Sequence, residues 1–227
     1  MHSLLLLVAA FVLLCVGFSE AAEPERREGQ PTVWLVGDST VKNGTKGQQG
    51  WGDPFIELFD ENKVRVINRA RGGRSSRTFQ TEGLWDAVLK ESKPGDFVLI
   101  QMGHNDSGAP FDETRSRGSI RGTGEETVEG THKDGRKEVV HTYGWYLRKY
   151  VADAREKGMT PIICSYVPRC PKPTDTIEAD PAPNSYRLWA KETAEKENVP
   201  FIDLWSIIWK KYAGMKPEEI KSTYFSE

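Results

Sequence analysis

Short apolar runs recur along the chain at intervals that suit alternating strands and helices. Runs without clean apolar–polar alternation are typical of strands that are buried on both faces of a parallel sheet. The pattern therefore predicts about five parallel strands. The runs are VWLV at 33–36, VRVI at 64–67, FVLI at 97–100, PIICSYV at 161–167 and VPFIDLW at 199–205.

Helical patterns lie between these runs. Pro54 can occupy the first turn of a helix that extends to about Asp60. Asn184 can cap a second helix, through about Glu197, and a further helix can begin at Pro217. Alternating strands and helices predict a doubly wound α/β sandwich, whose working site lies at the carboxyl ends of the strands. One helix face has the i, i+3, i+4, i+7 spacing and comprises Tyr143, Tyr146, Leu147, Tyr150, Val151 and Ala154.

The long polar stretch from Ser107 to Lys137 interrupts this alternation. It is rich in Gly, Thr, Arg and Glu and shows no periodicity. A structureless segment of that length in a compact domain is usually either a functional loop or disordered. We expect a loop here.

The first residues differ in composition from the rest of the chain. An apolar run from Leu4 to Val16 is followed by small residues, with Ser19 and Ala21 at a spacing that suits signal peptidase. We expect residues 1–21 to be a cleaved secretory signal and the protein to be secreted or periplasmic. The remaining residues, 22–227, suit one domain. No second apolar run is long enough to span a membrane, so we expect no stable membrane insertion.

Charge and cysteine content bear on three possible features: a nucleic-acid partner, a disulfide and a zinc site. A formal net charge of −2 gives no reason to expect a nucleic-acid partner. Outside the predicted signal there are two cysteines, Cys164 and Cys170, which can close a small disulfide loop or remain free thiols. Two cysteines alone make no zinc site.

Polar and glycine-rich segments follow the first three predicted strands. They are GDST at 37–40, RARGGRSSRTF at 69–79 and QMGHND at 101–106. The carboxyl ends of parallel strands share one edge of a sheet. The three segments should therefore bring a hydroxyl, a glycine turn and an amide to the same edge.

Acyl transfer from an ester needs these groups, because a nucleophilic oxygen attacks the carbonyl and N–H donors receive the charge on its oxygen. The backbone N–H groups of Ser39 and Gly73 and the side-chain amide of Asn105 can supply three donors. Structural interpretations remain open. Ser39 or Asp38 can cap a helix, the glycines can form an ordinary turn, and Asn105 can begin an Asx turn. His104 can act as a base, but a structural or substrate-binding role is the commoner one.

Single positions exclude other catalytic motifs. A nucleophile elbow, G-x-S-x-G, would need glycine where Val41 stands. The segment NGTKGQ at 43–48 lacks the Gly-Lys-Ser/Thr of a phosphate loop. The segment GTGEET at 122–127 lacks the last glycine of a dinucleotide fingerprint and follows no predicted strand.

Together, GDST, GWGD at 50–53, NRARGGRSSRTF and GHND resemble the SGNH/GDSL hydrolases, and they are most similar to the rhamnogalacturonan acetylesterases of carbohydrate esterase family 12. The likeness runs from about Val33 to the end of the chain. It implies a flavodoxin-like three-layer α/β/α sandwich with no metal or other cofactor. It also implies a secreted enzyme that removes acetyl groups from acetylated pectic polysaccharides or oligosaccharides. By position, Ser39 matches the nucleophile, and Gly73 and Asn105 match the oxyanion-hole donors.

The chain departs from this family at its fourth block, a C-terminal Asp-x-x-His whose histidine activates the serine. No such block is present, and the histidines are His2, His104, His132 and His141. We expect the chain either to be truncated or to lack its general base, without which a serine hydroxyl is a weak nucleophile. His141 is a poor substitute, because it opens the amphipathic helix. The alternatives to the acetylesterase are a catalytically inactive sugar-binding relative and a GDSL esterase acting on another acyl ester, such as a lipid or acetylated xylan.

Arginines crowd the segment that carries Gly73. Guanidinium groups bind carboxylates bidentately, so Arg74 and Arg77 are predicted to hold the galacturonates of a pectic chain, with Asp38 and His104 as further substrate contacts. An ion-paired surface segment explains the same residues equally well. Exposed aromatic residues such as Trp51 can stack on sugar rings. The full set of arginines is Arg69, Arg71, Arg74 and Arg77.

Overall fold

The computed structural model describes residues 25–172 and 185–225, so the predicted signal at 1–21 lies outside the described residues. Its strands are β1 (Thr32–Gly37), β2 (Arg65–Asn68), β3 (Phe97–Gln101), β4 (Thr127–Thr131), β5 (Lys137–His141), β6 (Thr160–Cys164) and β7 (Phe201–Ile202). Five of them form one parallel sheet in the order β2-β1-β3-β6-β7. The predicted parallel sheet of an α/β fold is confirmed.

The helices cover both faces of this sheet. They are α1 (Gly52–Ile56), α2 (Thr78–Thr81), α3 (Leu84–Glu91), α4 (Tyr143–Glu156), α5 (Tyr186–Lys196), α6 (Leu204–Tyr212) and α7 (Pro217–Tyr224). Every residue of the predicted apolar face of α4 is buried. Helix α1 ends before the predicted Asp60. Helix α5 is capped by Ser185, whose side chain accepts from the N–H of Leu188. The predicted cap, Asn184, is outside the described residues.

Side chains of β1 alternate between two apolar layers. Trp34 and Val36 pack in the larger core with α2 to α5, while Val33 and Leu35 pack in a second core with α1 and the start of α6. Both layers are needed because the strand is buried along its whole length. The predicted three-layer α/β/α sandwich follows from this alternation.

The predicted loop from Ser107 to Lys137 holds an antiparallel hairpin, in which β4 pairs with β5. The expectation of a loop is therefore wrong from Thr127 onward, and it describes only residues 107–126. The sequence pattern does not reveal the hairpin, because Val128 and Val139 are exposed and Val140 is the one of its three valines that is buried.

Both predicted partners of the disulfide alternative, Cys164 and Cys170, are free thiols in this structure. Cys164 ends β6 inside the core, and burial raises the pKa of its thiol to about 12. Within the described ranges, no helix has the length and the apolar character needed to cross a membrane.

Candidate active site

The site lies where the strand order changes direction, between β1 and β3. In a doubly wound sheet of order 2-1-3, the crevice outside the carboxyl ends of these two strands is the usual ligand position. The structure brings Ser39 to this crevice from β1, Gly73 from β2 and Asn105 from β3. The three residues that the sequence indicates therefore share one edge of the sheet.

A buried hydrogen-bond network fixes the turn that carries Ser39. One carboxylate oxygen of Asp38 accepts from the backbone N–H and the hydroxyl of Thr40, both at 2.8 Å. The Thr40 hydroxyl accepts from the Gln101 amide at 2.8 Å, and the Gln101 carbonyl oxygen accepts from the indole N–H of Trp51 at 2.7 Å. The side chains of β1, β3 and α1 thus hold the turn in one shape.

Asp38 is predicted to contact substrate, but its side chain is 0% exposed and supports the turn instead. The predicted substrate contact of Asp38 is therefore wrong.

The sequence pattern gives no role to Gln101, but the position of this residue is informative. Gln101 is the last residue of β3 and pairs with Gly37, the last residue of β1. An amide at this register can reach the turn that follows the neighbouring strand.

The glycine turn packs directly against Ser39. A Cβ added at Gly72 would lie 3.4 Å from the Ser39 Cβ, so a side chain at this position would be in van der Waals contact with Ser39. Gly73 has φ +81, in the left-handed region where glycine is favoured. Among the described residues, no group accepts a hydrogen bond from the N–H of Ser39 or of Gly73. Both donors are available to a bound oxygen.

Asn105 joins the third segment to the glycine turn. Its side chain is buried, and its amide nitrogen donates to the carbonyl of Arg74 at 2.9 Å. One N–H of the amide is thereby engaged, and the second remains for a ligand. This bond holds the amide beside the glycine turn, at the residue next to Gly73 in the chain.

The described histidines are bonded elsewhere. The Nε2 atom of His104 lies 2.8 Å from the carbonyl of Val167. Burial lowers the pKa of His104, and the nearby Asp38 carboxylate offsets only part of that effect. The imidazole of His132 contacts Glu138 at 2.6 Å, and that of His141 stacks on an indole with 3.8 Å between ring centroids. In the part of the chain that the structure describes, the Ser39 hydroxyl has no hydrogen bond to an imidazole.

Arg77 does not take its predicted role as a carboxylate ligand for substrate. Its side chain is only 1% exposed, and its guanidinium donates to the carbonyls of Pro110, Ser116 and Gly118. Its Nε lies 3.3 Å from a carboxylate oxygen of Glu138. Arg77 therefore connects the glycine-turn segment to residues 107–126 and to the hairpin.

Asp106 also connects the glycine-turn segment to the polar loop. Its buried carboxylate accepts from the backbone N–H of Ser76 at 3.1 Å, from the Ser76 hydroxyl at 2.5 Å and from the Ser119 hydroxyl at 3.0 Å. Burial raises the pKa of Asp106 to about 6, even though these hydrogen bonds act to lower it. The glycine-turn segment and the polar loop are thus joined through one titratable group.

Two clefts open beside Ser39. The first, here called the arginine cleft, has a volume of about 570 Å³. The second, the aromatic cleft, has a volume of about 820 Å³. The arginine cleft is lined by Ser39, Gly72, Gly73, Arg74, Arg115 and Arg117, among others. The aromatic cleft is lined by Ser39, Trp51, Tyr212, Tyr224 and Phe225, among others.

Arg74, the other arginine predicted to contact substrate, lies at the edge of the arginine cleft. Its guanidinium pairs with Glu82 through Nε at 2.9 Å and through a terminal nitrogen at 2.8 Å. Its role toward substrate stays a prediction, as does that of His104. Neither Arg115 nor Arg117 is singled out by the sequence analysis, because both lie in a segment without periodicity.

Comparison with known proteins identifies the family of this site. Residues 35–218 match the GDSL-like Lipase/Acylhydrolase family. The chain is 36% identical over 197 residues to a probable rhamnogalacturonan acetylesterase, YesY of Bacillus subtilis, covering 85% of this chain and 78% of that protein. It is 31% identical over 193 residues to a rhamnogalacturonan acetylesterase of Emericella nidulans, covering 85% and 75% of the two chains.

Solved structures share the fold. The crystal structure of protein YxiM of Bacillus subtilis superposes with a TM-score of 0.65 at 25% identity, covering 86% of this chain. The match spans about half of that protein, 49% of its length. Axe2, an acetylxylan esterase from Geobacillus stearothermophilus, superposes with a TM-score of 0.53 at 17% identity, covering 86% of this chain and 85% of its own.

Proposed function

Because the chain belongs to the GDSL-like Lipase/Acylhydrolase family, we propose that it is a carbohydrate O-acetylesterase that removes acetyl groups from pectic rhamnogalacturonan. The single observation that carries the proposal is the convergence of Ser39, the glycine turn and Asn105 at one sheet edge. The relatives named as rhamnogalacturonan acetylesterases support the choice of substrate.

The reaction proceeds through an acetyl-serine. The Ser39 oxygen forms a bond to the acetyl carbonyl carbon and gives its proton to a base. The negative charge that develops on the carbonyl oxygen is received by the N–H groups of Ser39, Gly73 and Asn105. The sugar oxygen then leaves with a proton. Water attacks the acetyl-serine, acetate is released and the hydroxyl is restored.

The two clefts fit the two kinds of surface that a pectic chain presents. Sugar rings pack their apolar faces on aromatic side chains, which the aromatic cleft supplies through Trp51, Tyr212 and Tyr224. The carboxylates of uronic acids pair with guanidinium groups, which the arginine cleft supplies. Ser39 lines both clefts, so a chain lying across them would pass its acetyl ester over the nucleophile.

One observation favours a second candidate function. None of the described histidines is bonded to the Ser39 hydroxyl, although an acyl-serine mechanism needs a base beside it. A sugar-binding protein that holds acetylated pectin without turning it over would use the same two clefts. Acetate release separates the two candidates, because only the esterase produces it.

The test is acetate release by the purified full chain from acetylated rhamnogalacturonan and, separately, from acetylated xylan. The esterase proposal predicts release from the first substrate that Ser39→Ala abolishes and that Ser107→Ala, at an exposed serine outside both clefts, leaves unchanged. Equal release from xylan would contradict the pectic assignment. Binding of the pectic substrate with no Ser39-dependent release would favour the second candidate.

We also propose that the protein is exported, on the evidence of the apolar run from Leu4 to Val16 and the small residues after it. Expression in a bacterium with a general secretory pathway should yield a product that begins at Ala22 or close to it. Mass spectrometry of the intact product measures this directly. A product that retains residues 1–21 would contradict the proposal.

A further inference from the structure

Two arginines in the arginine cleft have no carboxylate partner among the described residues. A terminal nitrogen of Arg117 donates to the carbonyl of Gly73 at 3.1 Å, and Arg115 is exposed at the cleft wall. The other arginines of the site differ, because Arg74 pairs with Glu82 and Arg77 pairs with Glu138. Burial and the charge of Arg115 lower the pKa of Arg117, while the carboxylates of Asp106 and Asp112 act to raise it without forming an ion pair with it. Arg115 and Arg117 both line the arginine cleft, so two like charges share its wall.

The backbone that carries these two arginines is held from both ends. One carboxylate oxygen of Asp112 accepts from the N–H groups of Thr114 at 2.7 Å, Arg115 at 2.5 Å and Ser116 at 3.1 Å. On the other side, Arg77 holds the carbonyls of Ser116 and Gly118, as described above. The guanidinium groups therefore project from a fixed segment, and little backbone entropy remains to be lost when an anion binds.

Arg115 and Arg117 line the same cleft, and in the part of the chain that the structure describes neither forms an ion pair with a carboxylate. An anion that bridges them would reduce the repulsion between their charges. A carboxylate is the anion that fits the proposed substrate, because guanidinium and carboxylate groups form parallel paired hydrogen bonds. We propose that Arg115 and Arg117 form a carboxylate-binding subsite beside Ser39, which selects acetyl esters whose neighbouring sugar is a uronic acid. This inference rests on the proposed function for its substrate class.

The subsite is also connected to the reacting centre. Arg117 holds the carbonyl of Gly73, the residue whose N–H is a donor of the proposed oxyanion hole. A carboxylate bound to Arg117 therefore affects the position of the glycine turn as well as the affinity for substrate. Loss of the arginine should lower kcat in addition to raising KM for acidic substrates.

The test is a binding experiment that needs no turnover. Calorimetry at low salt compares a deacetylated rhamnogalacturonan oligosaccharide with the same oligosaccharide after its carboxyl groups are reduced to alcohols. The wild-type protein should bind the acidic form about tenfold more tightly, as expected when two guanidinium groups each form charge-assisted hydrogen bonds with a carboxylate. The double variant Arg115→Ala/Arg117→Ala should bind both forms equally.

The matched control is Arg121→Ala. This arginine lies in the same polar segment but packs over the ring of Trp189, 5.7 Å from its centroid, outside the arginine cleft. It should keep the preference for the acidic form. Because the alanine variants can lose structure, Arg117→Lys provides a second measurement. It keeps the charge but not the bidentate geometry, so an intermediate preference is expected.

The outcomes for the two proposals are separable. A wild-type protein that binds the acidic and reduced forms equally, or that binds neither, would overturn the subsite. So would a double variant that keeps the preference. None of these results bears on acetate release, which tests the esterase itself. Conversely, suppose that the protein prefers the acidic form through these arginines but releases no acetate. That result would support the subsite and contradict the esterase proposal.

Discussion

Asn105 donates a 2.9 Å hydrogen bond to the carbonyl of Arg74, and this contact ties the segment after β3 to the glycine turn after β2. Two of the three proposed oxyanion donors therefore move as one unit. The third, the N–H of Ser39, lies against the same turn through the close approach of Gly72. The site is preorganised before substrate binds, which is the condition under which such donors are effective.

The first prediction concerns Asn105. Asn105→Ala removes one donor and its hold on the glycine turn, so kcat for a chromogenic acetate ester should fall by about a hundredfold or more, with little change in KM. Asn62→Ala, at an exposed position that lines neither cleft, should not change either constant. A loss of kcat of less than about threefold in the Asn105 variant would contradict a role for Asn105 in the oxyanion hole.

The second prediction concerns the base that the Ser39 hydroxyl requires. The Ser39 hydroxyl has no imidazole partner in the described part of the chain, so free imidazole added to the 227-residue protein should accept its proton. The Ser39-dependent rate should rise by about tenfold, because free imidazole supplies only part of the roughly 10²–10⁴-fold that a positioned base contributes. The Ser39→Ala variant measures the background reaction of imidazole with the ester. A rate that imidazole leaves unchanged would mean that the serine already has a base.

The third prediction is a dependence of stability on pH through Asp106. Its pKa is about 6 in the folded protein and its ordinary value is 3.8, so the folded state binds more protons between these values. Stability from this group is present below about pH 4 and is lost as pH rises through about 6. One pKa unit corresponds to about 1.4 kcal/mol, and the loss therefore amounts to about 3 kcal/mol.

Urea unfolding at several pH values measures this effect. The free energy of unfolding of the wild-type protein, relative to that of Asp106→Asn, should decline between pH 4 and pH 7, because the amide cannot ionise. Asp134→Asn, at an exposed position of the hairpin, should show no such trend relative to the wild type. A constant difference between wild type and Asp106→Asn would contradict the raised pKa.

The fourth prediction decides the role of Arg77. Arg77→Ala removes a buried ion pair with Glu138 and leaves three main-chain carbonyls without their guanidinium donor, so it should lower the free energy of unfolding by about 3 to 5 kcal/mol. The exposed Arg71 supplies the control, and Arg71→Ala should change stability by less than about 0.5 kcal/mol. An Arg77 variant that keeps its stability and shows only a raised KM would restore the role in substrate binding.

The sheet could be predicted from sequence because its strands are continuous apolar runs, and α4 could be predicted because its buried residues keep helical spacing. The short helices α2 and α3 and the hairpin of β4 and β5 could not. Helix α2 has four residues and α3 has eight, so neither is long enough for a helical pattern to stand out. The hairpin is mostly polar, and tertiary contacts such as the pair between Arg77 and Glu138 hold it in place. Contacts between residues so far apart in the chain leave no local pattern.

The site was partly predictable because its position follows from the sheet. Ser39, Gly73 and Asn105 each follow a strand, so the topology alone brings them to one edge. Whether an arginine or aspartate faces solvent there depends on its partners, and Arg77 and Asp38 are both buried and hydrogen-bonded to groups that sequence spacing does not reveal. Arg115 and Arg117 reach the cleft only because residues 107–126 fold back over the glycine turn.

The most direct test of the central claim is to trap the acetyl-serine. The full chain is mixed with a chromogenic acetate ester, quenched with acid at short times, digested and analysed by mass spectrometry. The account predicts one added acetyl group on the peptide that contains Ser39, and none on that peptide in Ser39→Ala. Ester hydrolysis without any acetyl group on Ser39, or hydrolysis that Ser39→Ala leaves intact, would contradict it.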